Sequence, residues 1–111
     1  MSKKFAVVLV GMMSVLAVHA QADDMQQIPL HIKDHAFVPA EVKVPADKKF
    51  KLVITNDDDN AAEFESSELN REKVVAGHGE ITVFIGPLSA GTYGFYDDFH
   101  RDTTGKLVAQ P

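Results

Sequence analysis

The stretch that decides the fold reads Thr92-Tyr-Gly-Phe-Tyr-Asp97-Asp-Phe-His100-Arg-Asp-Thr-Thr-Gly105-Lys-Leu-Val-Ala-Gln-Pro111. Its pattern predicts a strand, a polar loop and a second strand. Tyr93 and Phe95 fall on one face of the first strand, so a strand that continues to Asp97 points this carboxylate to the same face, at the end of the core. A buried carboxylate needs a cation, a proton or a hydrogen-bond donor to offset its desolvation.

Period-2 alternation predicts four further strands upstream of this hairpin, separated by turn residues. The full set of predicted strands is residues 28–33, 41–44, 50–55, 80–85, 92–96 and 106–109. Short strands with frequent turns predict an all-β sandwich or barrel around a single core. The least strand-like segment runs from Ser66 to Val75, and we expect a short helix there, capped by Ser67.

The amino-terminal segment predicts export. Residues 1–20 contain Lys3 and Lys4, then an apolar run from Phe5 to Val18, and they end at Ala20, with a second possible cleavage after Ala22. This pattern is typical of a signal peptide. An apolar run of ~14 residues is shorter than the ~20 that a spanning helix needs. We therefore expect residues 21–111 to form one exported domain without a membrane anchor.

Charge and cysteine content exclude several classes of function. The net charge of the full chain is −5, and loss of the two lysines in the signal peptide brings it to about −7. Nucleic acids and anionic membranes are therefore poor partners. The chain has no cysteine, which excludes a blue copper centre and zinc–thiolate sites.

The carboxyl-terminal hairpin resembles the closing hairpin of the cupredoxins. In blue copper proteins it carries a Cys, two residues and then a His; here Asp97 stands at the Cys position, His100 at the His position, and Thr104 near the axial Met. The segments 34–46, 51–56 and 86–93 are similar to other cupredoxin segments, whereas 62–65 lacks the first His ligand. The resemblance covers nearly the whole mature chain and implies a Greek-key β-sandwich with an oxygen-rich site.

One group of cupredoxin-like proteins is most similar to this chain: small periplasmic domains associated with bacterial high-affinity iron permeases. The similarity rests on Glu63-Phe-Glu65, on residues 71–75 and on residues 97–100. It implies binding of copper, iron or both in iron uptake, with a membrane iron permease or other periplasmic iron-uptake proteins as partners. Oxidation of Fe(II) with bound Cu(II) and delivery of metal without redox change are both open, so enzyme status is open too.

The candidate metal ligands are Asp97, Asp98, His100, Glu63, Glu65 and His35. Carboxylates with an imidazole suit Cu(II), iron or Mn(II) and suit Cu(I) poorly, so a copper form would be non-blue. Each residue also has a simpler interpretation. The two aspartates would form an ordinary acidic loop, the two glutamates would face solvent if Phe64 faces the core, and His35 would be a solvated loop residue.

A second class of function is a metal-free interaction module that docks on a membrane permease or another periplasmic protein. In that case the acidic loops would guide recognition and association instead of holding a metal. The two classes differ in whether the candidate carboxylates and imidazoles converge on a common point.

Overall fold

The computed structural model describes residues 25 to 111, and this range folds into nine strands and no helix. The predicted signal peptide at residues 1–20 lies outside the described residues. No helix within 25–111 could therefore cross a membrane. The six predicted strands are confirmed, and three more are present. The strands are β1 (Gln26–Lys33), β2 (Ala36–Val38), β3 (Glu41–Pro45), β4 (Phe50–Asn56), β5 (Ala62–Ser66), β6 (Arg71–Val75), β7 (Glu80–Ile85), β8 (Gly91–Asp97) and β9 (His100–Gln110).

The strands form two sheets of a Greek-key β-sandwich. One sheet has the order β2-β1-β4-β7 and the other has the order β3-β9-β8-β5-β6. β1 runs parallel to β4 and β3 runs parallel to β9, while the other neighbours are antiparallel. The chain passes repeatedly from one sheet to the other, so both sheets share one core.

The core lies between the sheets and is built from alternate residues of the strands. On β4, Phe50, Leu52 and Ile54 are fully buried while the residues between them are partly exposed, as the alternation predicted. The Phe95 ring of β8 packs edge-on against Phe37 at 4.8 Å between ring centroids. These contacts fix β8, and with it the start of the predicted ligand loop.

The helix predicted between Ser66 and Val75 is wrong. The buried Ser66 hydroxyl donates to the carbonyl of Gly94 at 2.7 Å and accepts the N–H of Leu69 at 3.1 Å, which holds a turn. The chain then returns as β6, paired antiparallel with β5. β6 is the edge of its sheet and buries only its last residue, so it lacks the alternation that would have marked it as a strand.

Candidate metal centre

The hairpin between β8 and β9 has an irregularity at the predicted ligand loop. Pairing is regular as far as Tyr96 opposite Thr104, and then shifts so that Asp97 lies opposite His100. Residues 101–103 are therefore extra on β9. Such bulges turn side chains away from the regular alternation and are common beside functional sites.

The bulge moves Thr104 away from the position expected from the resemblance. Thr104 is exposed and pairs with Tyr96, whose side chain alternates with that of the buried Asp97. It therefore lies on the outer face and not near an axial ligand position. The neighbouring Thr103 is buried instead, and its hydroxyl donates to the carbonyl of His35.

Asp97 is buried, as predicted, with 1 % of its surface exposed. Hydrogen-bond donors compensate its charge. Oδ1 accepts the main-chain N–H of Glu63 at 2.9 Å and of Phe99 at 3.0 Å. Oδ2 lies 3.1 Å from Nδ1 of His100. Both oxygens are thus engaged, and the carboxylate ties β5 to the hairpin.

His100 forms a pair with His35. Their ring centroids are 4.5 Å apart, and the rings are tilted by 45°. A carboxylate can only accept, so Nδ1 of His100 carries the hydrogen that faces Asp97, and Nε2 of the neutral ring keeps its lone pair. This is the arrangement in which a histidine serves as a metal ligand, with a carboxylate fixing the ring from behind.

Asp58 holds His35 in place. It follows β4, and its carboxylate accepts the main-chain N–H groups of Asp34 at 2.7 Å and His35 at 3.0 Å. Both of those residues have positive φ, 52° and 59°, which non-glycine residues adopt at a cost. The hydrogen bond from the His35 N–H is the main reason that the pKa of Asp58 is lowered, and the nearby imidazoles lower it further. The turn therefore depends on this carboxylate.

A second group of side chains lies on the outer face of the five-stranded sheet. Phe64 is fully buried, so Glu63 and Glu65 project outward, as the simpler interpretation required. There they meet Glu72 of β6, which pairs with Glu65. One carboxylate oxygen from each of the three residues lies within 4.8 Å of the other two. Three carboxylates at this spacing can hold a hard divalent or trivalent cation.

The crowding of carboxylates changes the acidity of this group. Partial burial and then the negative charge of Glu72, together with Asp98, raise the pKa of Glu63 to about 7. The pKa of Glu65 is also raised, first by loss of solvation and then by Glu72 and Asp98. Near neutral pH the group therefore retains a proton, and a bound cation could take the place of that proton.

Asp98 belongs to this outer group. Its main-chain N–H donates to the carbonyl of Glu63 at 2.9 Å, so it follows the sheet outward while Asp97 turns inward. Its Oδ1 lies 2.7 Å from Nη2 of Arg101. This contact brings opposite charges together without hydrogen-bond alignment, because Oδ1 is buried and has no hydrogen-bond partner.

The predicted ligands thus separate into two groups on either side of the β5–β8 junction. His35, His100 and Asp97 lie at the end of the sandwich. Glu63, Glu65 and Asp98 lie on its outer face. Asp58 and Glu72 also belong to these groups, and neither was among the predicted ligands. Glu72 lies opposite Glu65 because β6 pairs with β5, a contact that leaves no local pattern in the sequence.

Asp97 and the histidine pair at the end of the sandwich differ in the donor atoms that they offer to a metal. At the position of the blue copper thiolate, Asp97 has both oxygens occupied by hydrogen bonds, and the chain has no cysteine. A blue centre therefore does not fit. His35 and His100 offer two imidazoles to a borderline cation such as Cu(II).

A family model identifies the family of this chain, and one curated relative matches most of it. The model of the cupredoxin-like domain family matches residues 6–109. The uncharacterized protein RP394 of Rickettsia prowazekii is 46% identical over 86 residues, which are 78% of this chain and 69% of that protein.

Solved structures share the fold at low sequence identity. The metal-binding domain of the Cu(I)-exporting P-type ATPase CopA of Streptococcus pneumoniae superposes with a TM-score of 0.69 at 12% identity, covering 80% of this chain and 89% of that one. Auracyanin A, a blue copper protein of Chloroflexus aurantiacus, gives 0.65 at 17%, covering 76% and 98%. Amicyanin of Paracoccus versutus gives 0.60 at 14%, covering 79% and 83%. The chain belongs to the cupredoxin-like domain family.

Proposed function

We propose that this protein is an exported metal-binding protein that holds iron for uptake at the outer-face carboxylates of Glu63, Glu65 and Glu72. The observation that carries the proposal is the convergence of these three side chains from two strands, with oxygens within 4.8 Å of one another. Like charges at this distance repel unless a proton or a cation joins them. Oxygen ligands of this kind favour hard cations, among them Fe(III), and also bind Mn(II).

Copper is the second metal, and the pair of His35 and His100 would bind it. The supporting observation is the tilted contact of the two rings, with a carboxylate beside Nδ1 of His100. Imidazole nitrogens suit Cu(II) better than carboxylates alone, and such a centre lacks the intense colour of copper bound to thiolate. Iron and copper would thus bind at two different groups of ligands.

The iron site is tested by isothermal titration of metal-free residues 21–111 with Mn(II) and, under anaerobic conditions, with Fe(II). Glu72→Gln should weaken binding at least about tenfold, the scale of one lost charged ligand. Glu41→Gln is the matched control, because Glu41 is an exposed glutamate on β3, at the other edge of the same sheet. Equal affinities of both variants and the wild type would refute the site.

The copper site is tested with Cu(II) by electron paramagnetic resonance. Nitrogen hyperfine structure from two imidazoles is expected in the wild type, and His35→Ala and His100→Ala should each reduce it. His78→Ala is the control, because His78 lies in an exposed turn and contacts Asp59 at 2.6 Å. A spectrum unchanged in both test variants would overturn the assignment.

If no metal binds with a dissociation constant below ~0.1 mM, which corresponds to about −5.5 kcal/mol, a metal-free module that docks on a permease or periplasmic partner is favoured.

If metal does bind, oxygen consumption with added Fe(II) separates oxidation of Fe(II) from delivery of metal without redox change. Cell fractionation tests the proposed periplasmic location. Reduced uptake of radioactive iron in a deletion strain would support a role in iron uptake through a membrane permease. Unchanged uptake would argue against that role.

A further inference from the structure

Arg101 lies beside the outer-face carboxylates. It is the first residue of the bulge in β9, and its Nη2 lies 2.7 Å from Oδ1 of Asp98. Its guanidinium carbon lies 5.8 Å from the centroid of the Tyr96 ring, close enough for attraction between the cation and the ring. The guanidinium of Arg101 thus lies between the carboxylate of Asp98 and the ring of Tyr96.

The contact between Arg101 and Asp98 is an ion pair at a buried oxygen that accepts no hydrogen bond. Oδ1 of Asp98 is buried, yet no hydrogen bond reaches it. A carboxylate oxygen in that state normally has a water molecule, a donor or a cation beside it. Arg101 supplies that positive charge at 2.7 Å, without the alignment of a hydrogen bond.

The side chain of Arg101 is free to leave this position. It is 73% exposed, and the bulge that carries it makes no regular pairing with β8. Exposed ion pairs stabilise proteins weakly and are screened by salt. A metal ion that binds several carboxylates at once can therefore compete with the single guanidinium.

We propose that Arg101 is a built-in counter-ion of the outer-face carboxylates, which an incoming metal ion displaces from Asp98. This inference rests on the proposed iron site and adds a selectivity device to it. Monovalent ions gain too little to displace the guanidinium, whereas ions of charge two or three gain more from the same oxygens. The displaced guanidinium moves toward solvent, and Asp98 becomes available as a further ligand.

The first test compares Mn(II) binding to three forms of residues 21–111 by isothermal titration. Arg101→Gln should bind about fivefold more tightly than wild type, as expected for loss of a competing exposed ion pair. Lys43→Gln is the control, because it removes the same charge from an exposed position on β3, at the other edge of the sheet. Circular dichroism of each variant checks that it folds.

The possible results separate this inference from the proposed function. If wild type binds Mn(II) and Arg101→Gln matches Lys43→Gln, the inference is wrong and the iron site stands. Weaker binding by Arg101→Gln would also overturn it, because Arg101 would then be positioning Asp98 for the metal. If no form binds, both proposals fail. If only Arg101→Gln binds, the metal does not displace the guanidinium of the wild type, and the inference is wrong.

A second readout does not depend on a variant of Arg101. Nuclear magnetic resonance of the Arg101 Nε–H group can be followed while diamagnetic Zn(II) is added. Displacement predicts a saturable shift of this signal in wild type and a loss of the shift in Glu72→Gln. A signal that stays unchanged while Zn(II) binds would show that Arg101 keeps its place.

Discussion

The N–H of Glu63 donates to the buried carboxylate of Asp97 at 2.9 Å, while the side chain of Glu63 projects to the opposite side of the sheet. One residue therefore connects the end of the sandwich to the carboxylates on its outer face. Changes at Asp97 should reach both groups through the main chain of β5. The two groups consist of different side chains, and the main chain of β5 connects them.

Asp97→Ala should destabilise the metal-free protein. Two main-chain N–H groups, of Glu63 and Phe99, would lose their acceptor, so the free energy of unfolding should fall by about 2–4 kcal/mol. Asp97→Asn keeps an acceptor oxygen and should cost about half as much. Urea unfolding without metal measures both. A loss below about 0.5 kcal/mol in Asp97→Ala would contradict the anchoring role, since that is the level of ordinary surface changes.

Glu63 should make the metal-free protein less stable as the solution becomes less acidic. Its pKa is raised from 4.5 to about 7 by partial burial and then by Glu72. Between these values the folded state holds a proton that the unfolded chain has released, so the free energy of unfolding falls as pH rises through this window.

Glu63→Gln tests this dependence. The stability of the variant relative to wild type should increase from pH 4.5 to 7 and then stay constant, and added salt should reduce the difference because Glu63 is partly exposed. Urea unfolding at several pH values measures it. Glu41→Gln removes an exposed glutamate at the far edge of the same sheet. A similar profile in both variants would contradict the assignment.

Asp58→Ala should loosen the turn that carries His35. The variant loses the acceptor of two main-chain N–H groups, which should lower the free energy of unfolding by about 1–3 kcal/mol at pH 7. The pKa of Asp58 is lowered, mainly by the His35 N–H, so its contribution is present above the unfolded value of 3.8 and is lost as pH falls further.

The control for Asp58 is its neighbour. Asp57 is exposed, and its side chain contacts His31 at 2.9 Å. Asp57→Ala should change stability by about 0.5 kcal/mol or less. The difference between Asp58→Ala and wild type should disappear in acid. A difference that stays the same from neutral pH down into acid would show that the charge of Asp58 is not the cause.

Gly105→Ala should disturb the core under β8. An added Cβ would lie 2.5 Å from Cε1 of Phe95 and 3.0 Å from the carbonyl oxygen of Ala40. Overpacking of this kind costs about 1–3 kcal/mol. Gly94→Ala is the matched control, because its Cβ would meet only the flexible side chain of Glu68 at 3.3 Å. Equal unfolding temperatures of the two variants would contradict this view of the core.

The strands with clear alternation of buried and exposed residues could be predicted from the sequence, and the edge strand β6 could not. β4 buries every second residue, so its pattern reflects one core face. β6 exposes four residues in succession and resembles a polar helix. Its identity depends on pairing with β5, which is a contact between segments and leaves no local pattern. Glu72 was missed for this reason.

The burial of single residues near the candidate site could be predicted from the sequence, and their grouping could not. The burial of Asp97 followed from alternation with Phe95 and is confirmed. Its engagement by two main-chain donors depends on where β5 ends in space, which no local spacing encodes. The separation of Asp97 from Asp98 follows from ordinary alternation at the end of β8, where the main-chain N–H of Asp98 still pairs with β5.

The parallel pairing of β3 with β9 has a consequence for the order of folding. Glu41 lies opposite Lys106, and Pro45 lies opposite Gln110. Contacts between such distant segments form slowly, because a long loop must close first. The five-stranded sheet therefore cannot be completed until Gln110 has been made. Within the described residues β3 has β9 as its one neighbour in the sheet, so its pairing is a late step of folding.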